Sequence, residues 1–170
     1  MGIDTYTDAT LSLLARLLAT DLETVSRGFE VLSGHAYDSW TVPKGNGRVR
    51  KIDAPVPELK RLQSLLLNRL LNFAPISPFA HGFVRGRSIV TNASVHRETA
   101  RAMVSLDLKD AYPSVSRDRA LKALEWGVGS FLKHSSPMTT RAEREAVYEA
   151  VGDACTHRDA LPQGCLLYTS

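Results

Sequence analysis

Apolar residues recur along much of this chain at helical spacing. Leu11, Leu14, Leu17 and Leu18 mark one helix near the start. Thr20-Asp21-Leu22-Glu23 has the spacing of a capping box; Leu22, Val25, Phe29 and Leu32 follow on one face, and Gly34 is placed to end the helix. Further on, Pro57 suits a first helical turn, and Leu59, Leu62, Leu66 and Leu70 form a stripe behind it until Pro75 and Pro78 close the run. Between these helices the pattern changes. Trp40-Thr41-Val42-Pro43-Lys44 and Arg48-Val49-Arg50-Lys51-Ile52 flank Gly45-Asn46-Gly47, and Asn-Gly between two β-like runs predicts a hairpin. Residues 79–101 are loop-rich, with Gly82 and Gly86 set among bases. Ala102-Met103-Val104-Ser105-Leu106-Asp107-Leu108 predicts a buried strand that ends in a carboxylate. A helix is expected over 117–126, and a second capping box at Thr140-Arg141-Ala142-Glu143 opens another to about Ala154. Helices, hairpin, helix, loop, strand, helix and helix make an α+β pattern.

Composition narrows the class. At 170 residues, 44% hydrophobic and 23% charged, the chain can bury a core and fits one domain or slightly more. Apolar runs such as Leu65-Leu66-Leu67 are far too short to cross a bilayer, and residues 1–10 lack the basic segment of a secretion signal. A cytoplasmic protein without a membrane partner is therefore expected. Cys155 and Cys165 supply neither a disulfide framework nor a four-ligand zinc site. The net charge of +3 conceals an uneven distribution: −4 over residues 1–43, +8 over 44–101 and −1 over 102–170. Such a basic block suits a polyanion, whose counterions it would release, or is a solvated Lys/Arg face.

Three stretches carry candidate chemistry. Asp107 at the end of a strand, with Asp110 three residues later, is a way to hold Mg²⁺ beside a substrate phosphate, since magnesium takes one or two carboxylates plus phosphate oxygens and water. The alternative is a turn cap and a solvent-facing acid. Lys44, Arg48, Arg50 and Lys51 surround the hairpin turn, so that several cations can close over a triphosphate, or merely keep the hairpin soluble. In His81-Gly82-Phe83-Val84-Arg85-Gly86-Arg87-Ser88 the glycines allow close backbone approach and the arginines can grip a nucleic-acid strand. Nothing near His81 has metal-ligand spacing, which favours a hydrogen-bonded structural histidine.

Taken together, these stretches resemble the reverse transcriptases, the bacterial retron-type enzymes more than the group II intron or retroviral ones. Pro43-Lys44 through Arg50-Lys51-Ile52-Asp53-Ala54-Pro55 is similar to the fingers hairpin, and Pro57-Glu58-Leu59-Lys60-Arg61-Leu62-Gln63 to the helix after it. His81 to Ser88, with Asn92-Ala93 and His96, is similar to the basic fingers motif. Residues 104–115 resemble the first catalytic motif of the palm, and Leu161-Pro162-Gln163-Gly164 the second. Five collinear motifs cover roughly residues 37–164.

The resemblance implies a right-hand polymerase: helices and fingers over 1–101, then the start of a palm over 102–164. It implies an RNA-directed DNA polymerase that adds deoxynucleotides to the 3′-hydroxyl of a DNA or RNA primer on an RNA template, using two Mg²⁺ ions, with a cognate structured non-coding RNA as a further partner and a place in antiviral defence. By position, Asp107 would be the catalytic metal ligand, joined by the backbone carbonyl of Leu108. Lys44 and Arg50 would hold the triphosphate, Tyr112 would be the aromatic gate under the sugar, and Gln163 would lie near nucleotide and template. Arg48, Lys51, Arg85 and Arg87 would meet nucleic acid, while Asp110 would support structure.

One departure is large: the family's later Tyr-x-Asp-Asp motif does not occur in these residues, so the chain is expected to be an inactive N-terminal fragment. Two alternatives share the same features: a non-catalytic RNA-binding protein that keeps the fingers, and a template-independent defence polymerase. The last six residues, 165–170, are what TGT CTC TTA TAC ACA TCT encodes, a string matching a common transposon-type sequencing adapter, and are read as a non-native tail.

Overall fold

The computed structural model describes residues 6–45, 47–97, 101–135 and 140–163. Asn46 of the hairpin turn, Gly164 of the last motif and the 165–170 tail lie outside the described residues.

Helix α1 (Asp8–Leu17) starts at Thr7, whose side chain accepts the Thr10 N–H, and it buries Leu11 and Leu14. Helix α2 (Leu22–Glu30) is capped by Asp21, one residue later than the Thr20 spacing implies. Asp21 wins because its carboxylate takes both the backbone N–H (2.6 Å) and the hydroxyl (3.0 Å) of Thr24. A 3-10 turn over Val31–Ser33 continues the helix before Gly34. Helix α3 (Pro57–Arg69) has proline in its first turn and buries Leu59, Leu62 and Leu66 completely, as the stripe predicts. Packing of α2 on α3 is close enough that a Cβ on Gly28 would sit 2.7 Å from Cβ of Leu62, so only glycine fits there.

Two strands, β1 (Tyr37–Pro43) and β2 (Val49–Pro55), pair antiparallel from Tyr37↔Pro55 to Pro43↔Val49, which is the expected hairpin. Its root is buried through Tyr37, Asp53 and Pro55, whereas its outer half projects into solvent. Helix α4 (Ile89–His96) falls inside the stretch expected to be loop. Ser88 and Thr91 form a reciprocal capping box, but α4 buries no residue, so it leaves no helical apolar stripe in the sequence. Helix α5 (Arg117–Ser135) extends beyond the expected end at residue 126. Helix α6 (Arg141–Cys155) begins at the Thr140 capping box as predicted.

The core joins Leu14 of α1 and Leu18 at its end, Val25 and Phe29 of α2, the α3 leucines, Val128 and Leu132 of α5, and Val147 and Val151 of α6. Mixed helix and strand agree with the α+β expectation. A larger departure concerns the expected strand. Residues 102–108 are not a buried strand: they form no ladder, and Val104, Leu106 and Leu108 are 81%, 88% and 78% exposed. A strand needs a neighbour for its backbone groups and a face to bury, and among the described residues β1 and β2 pair only with each other.

Candidate nucleotide and nucleic-acid site

Strand alternation sorts the hairpin cations. Arg50 lies opposite Val42 and shares its face with Trp40 and Ile52, whereas Lys51 lies opposite Thr41 on the other face, with Ser39 and Asp53. The four cations therefore do not all converge on one ligand: Arg50 stands on the exposed face, and Lys51 forms an ion pair with Asp53 at 3.0 Å. Lys44 and Arg48 straddle the turn, where the Lys44 N–H donates to the Arg48 carbonyl (2.6 Å) and Gly47 takes a positive φ of 73°.

Asp53 is the pivot of the hairpin root. Ser39 Oγ donates to its Oδ1 (2.5 Å), and its own backbone N–H donates to the carbonyl of Gln163 (2.9 Å). Burial pushes its acidity the wrong way, yet the Ser39 and Lys51 hydrogen bonds prevail and hold the carboxyl below the usual range. His157, in the loop after α6, lies against Tyr37 of β1 with ring centroids 4.4 Å apart. Its Nε2 is buried without a hydrogen-bond partner among the described residues, and this burial pushes its pKa down against the pull of Asp53.

The loop that delivers Gln163 turns sharply. His157 and Ala160 exchange backbone hydrogen bonds (2.8 and 3.2 Å) across Arg158 and Asp159, whose φ angles are +52° and +60°. From there the chain runs beside the turn that follows Asp107. Asp159 accepts the Arg117 N–H (2.8 Å), Val115 accepts the Leu161 N–H (3.1 Å), and Ser116 pairs with Ala160. Hairpin root, post-Asp107 turn and Leu161-Pro162-Gln163 thus meet, three of the five sequence motifs at one junction.

Asp107 and Leu108 lie on the exposed stretch leading into that turn. Asp110 has a left-handed φ of 50° and its carbonyl accepts the Ser114 N–H (3.0 Å), so it shapes the turn, which agrees with a supporting role. Tyr112 is half-buried and its carbonyl accepts the Val115 N–H (3.0 Å). Among the described residues no cluster of three His, Cys, Asp or Glu side chains could hold a metal.

The basic loop is built separately. Arg87 Nη1 donates to the carbonyls of Ser77 (2.7 Å), Pro78 (3.3 Å) and Ala80 (2.5 Å), so this arginine closes its own loop. His81 pairs with Thr91 Oγ1 at 2.9 Å, the structural role expected for it. Arg85 is exposed.

A cavity of about 900 Å³ adjoins the junction of hairpin root and post-Asp107 turn, lined by residues that include Tyr6, Phe29, Tyr37, Arg117, Asp153 and His157. None of the sequence-predicted site residues lines it. Beside it Arg117 bridges Glu149 (2.6 Å) and Asp153 (2.5 Å), while the Tyr6 hydroxyl donates to Asp153. Sequence reasoning passed over Gln63, Asp53, Arg117 and His157. Gln63 carried a visible signal, a polar residue on the leucine face of α3; Asp53, Arg117 and His157 acquire most of their partners through long-range contacts.

Comparison with known proteins gives a consistent answer. The reverse transcriptase (RNA-dependent DNA polymerase) family matches residues 42–166. The chain is 42% identical over 123 residues to the retron Mx162 reverse transcriptase of Myxococcus xanthus, covering 69% of this chain and 24% of that protein. It is 43% identical over 116 residues to the retron Mx65 reverse transcriptase of the same organism, covering 65% and 26% respectively. Against the retron Ec86 reverse transcriptase of Escherichia coli the identity is 30% over 130 residues, 75% of this chain and 36% of that protein. The matched part thus spans about a quarter to a third of these curated relatives. The root of a basic hairpin, the turn that follows Asp107 and a Leu-Pro-Gln segment are joined at one place, and with this family match across most of the chain they lead to one conclusion: the chain belongs to the reverse transcriptase family and is of the retron type.

Proposed function

We propose that the protein carrying this chain is an RNA-directed DNA polymerase that extends a primer 3′-hydroxyl with deoxynucleotides on an RNA template. In this reading residues 1–101 are the fingers, 102–164 begin the palm, and the protein works in the cytoplasm; no helix among the described residues is long and apolar enough to cross a membrane. The observation that carries it is the junction itself. Hydrogen bonds from Asp53 to Gln163 and from Leu161 to Val115 join the hairpin root, the turn after Asp107 and the Leu161-Pro162-Gln163 segment, and this joining of three motifs supports the reading.

The roles follow from charge and position. Lys44 and Arg50 hold the triphosphate, Arg50 as a bidentate fork and Lys44 as a point charge. Tyr112 lies beneath the sugar and rejects a 2′-hydroxyl by overlap, and Gln163 flanks the nucleotide. Arg48, Lys51 and Arg85 face nucleic acid, while Arg87 keeps the basic loop in shape for a strand that includes the cognate RNA. Asp107 and the Leu108 carbonyl are hard oxygen donors that suit Mg²⁺, which leaves most of its coordination to substrate oxygens and water. Held there, magnesium would supply charge neutralisation for the attacking and leaving oxygens. These residues position the substrate rather than bond to it.

Asp107→Asn in the complete enzyme tests the reading. It should abolish primer extension and leave RNA affinity within about twofold, because it removes a metal-facing charge and none of the basic groups. Near-wild-type extension by that variant would discard the assignment. The isolated 170-residue chain should extend no primer, since it holds one candidate metal carboxylate and no Tyr-x-Asp-Asp.

A further inference from the structure

Among the described residues Asp53 is the one buried acid, 8% exposed. A carboxylate out of water requires partners, and those of Asp53 come from several elements. Ser39 on β1 donates to it at 2.5 Å, and Lys51 on its own strand pairs at 3.0 Å. His157, from the loop after α6, packs on the Tyr37 ring and lies close enough to feel the charge of Asp53. The backbone of the same residue holds the carbonyl of Gln163 at 2.9 Å. Behind it, Tyr37 accepts from Gln63 Nε2 (3.1 Å), which also donates to the Ala154 carbonyl (2.8 Å), so the hairpin root is anchored to α3 and α6.

We infer that Asp53 is a positioning residue: its carboxylate locks β1 to β2 at the hairpin root and thereby holds the Gln163 segment at a fixed distance from Lys44 and Arg50. A solubilising acid would not be buried, and a plain turn acid would bond only its own strand. The lock joins two pieces from distant parts of the chain, a hairpin that projects from the core and a loop built on two left-handed residues, Arg158 and Asp159. Without it, each piece keeps its fold but the cations and Gln163 lose their mutual register. The consequence for nucleotide binding rests on the polymerase reading above; the lock itself does not.

The test uses Asp53→Asn, which keeps size and shape and removes the charge that holds Lys51. Two measurements are made: steady-state DNA synthesis by the complete enzyme, and amide hydrogen exchange of residue 53 in this chain. The expected result is a rise of about tenfold in KM for deoxynucleotides, with kcat within about twofold, because one charge-assisted contact is lost and no reacting group. The residue 53 amide should exchange about tenfold faster while the helical amides stay protected. A kcat that falls in step with the folded fraction at unchanged KM would overturn the inference, as would an amide that keeps its protection. If wild-type enzyme makes no DNA on RNA while the amide opens in the variant, the polymerase reading falls and the lock stands. Should Asp53→Asn fold poorly, Ser39→Ala removes one bond from the same carboxylate, and the same two readouts apply with the same signs.

Discussion

Gln63 offers the sharpest quantitative test of how the hairpin is anchored. It is 3% exposed in the apolar stripe of α3, with Nε2 shared between the Tyr37 hydroxyl (3.1 Å) and the Ala154 carbonyl (2.8 Å). Ala154 lies in the last turn of α6, where carbonyls have no partner within the helix, so the amide of Gln63 acts as a cap supplied from another helix. Gln63→Leu conserves volume and removes both bonds. Leaving the buried Ala154 carbonyl without this donor costs about 1–3 kcal/mol, and the lost Tyr37 bond about 1 kcal/mol, against a partial return from burying more apolar surface. A net loss of about 2–3 kcal/mol is expected, a drop of roughly 6–9 °C in midpoint for a chain of this size. Urea unfolding followed by circular dichroism measures it, with an unchanged slope showing that the unfolded state is the same. Gln63→Glu should be worse, since a carboxylate offers the carbonyl no hydrogen. If Gln63→Leu were as stable as the parent, the cap would have no energetic content and the anchoring of β1 would rest on its other contacts, the ladder with β2 and the Ser39–Asp53 bond among them.

Acid should destabilise the fold in two stages. His157 has its pKa pushed below its ordinary 6.5 by burial, so the unfolded chain binds a proton that the folded chain refuses, and stability falls as pH drops below 6.5. Asp53, held below its ordinary 3.8, adds a second loss only in stronger acid. His157→Phe should remove the first stage, and unfolding midpoints at pH 7 and pH 5 would show a persisting slope if His157 is not its source. At the Arg158-Asp159 turn, Arg158→Asn should stabilise by about 0.5–1 kcal/mol, because asparagine tolerates the left-handed region better than arginine; a lower melting midpoint would contradict the turn geometry. RNA affinity should fall with salt at a slope of roughly 0.7 per phosphate contacted, and Arg85→Glu should flatten it, whereas Arg87→Glu should instead disrupt the loop. Binding measured across a salt series that showed the same slope in parent and Arg85→Glu would remove Arg85 from the interface.

How much of this was legible beforehand depends on the range of the interactions involved. Helices α1, α2, α3 and α6 were written in leucine spacing, caps and a first-turn proline, all of which act within a few residues. The hairpin announced itself through Asn-Gly between β-like runs, and the family resemblance came from motifs that are themselves short and local. The fate of residues 102–108 was decided elsewhere: their apolar run specifies a strand, but a strand exists only where another backbone pairs with it. Helix α4 leaves no trace in the apolar pattern because it buries no residue and therefore carries no stripe. Arg87 looked like a hand for phosphate and proved to hold three carbonyls of its own loop, a geometry that only the folded chain reveals. Nor does any local pattern tell that Asp53, Gln163, Val115 and Leu161, separated by up to 110 residues, hydrogen-bond at one junction. Local sequence sets the elements because backbone dihedrals and caps answer to near neighbours; the junction forms only when those elements pack and buried polar groups must find one another.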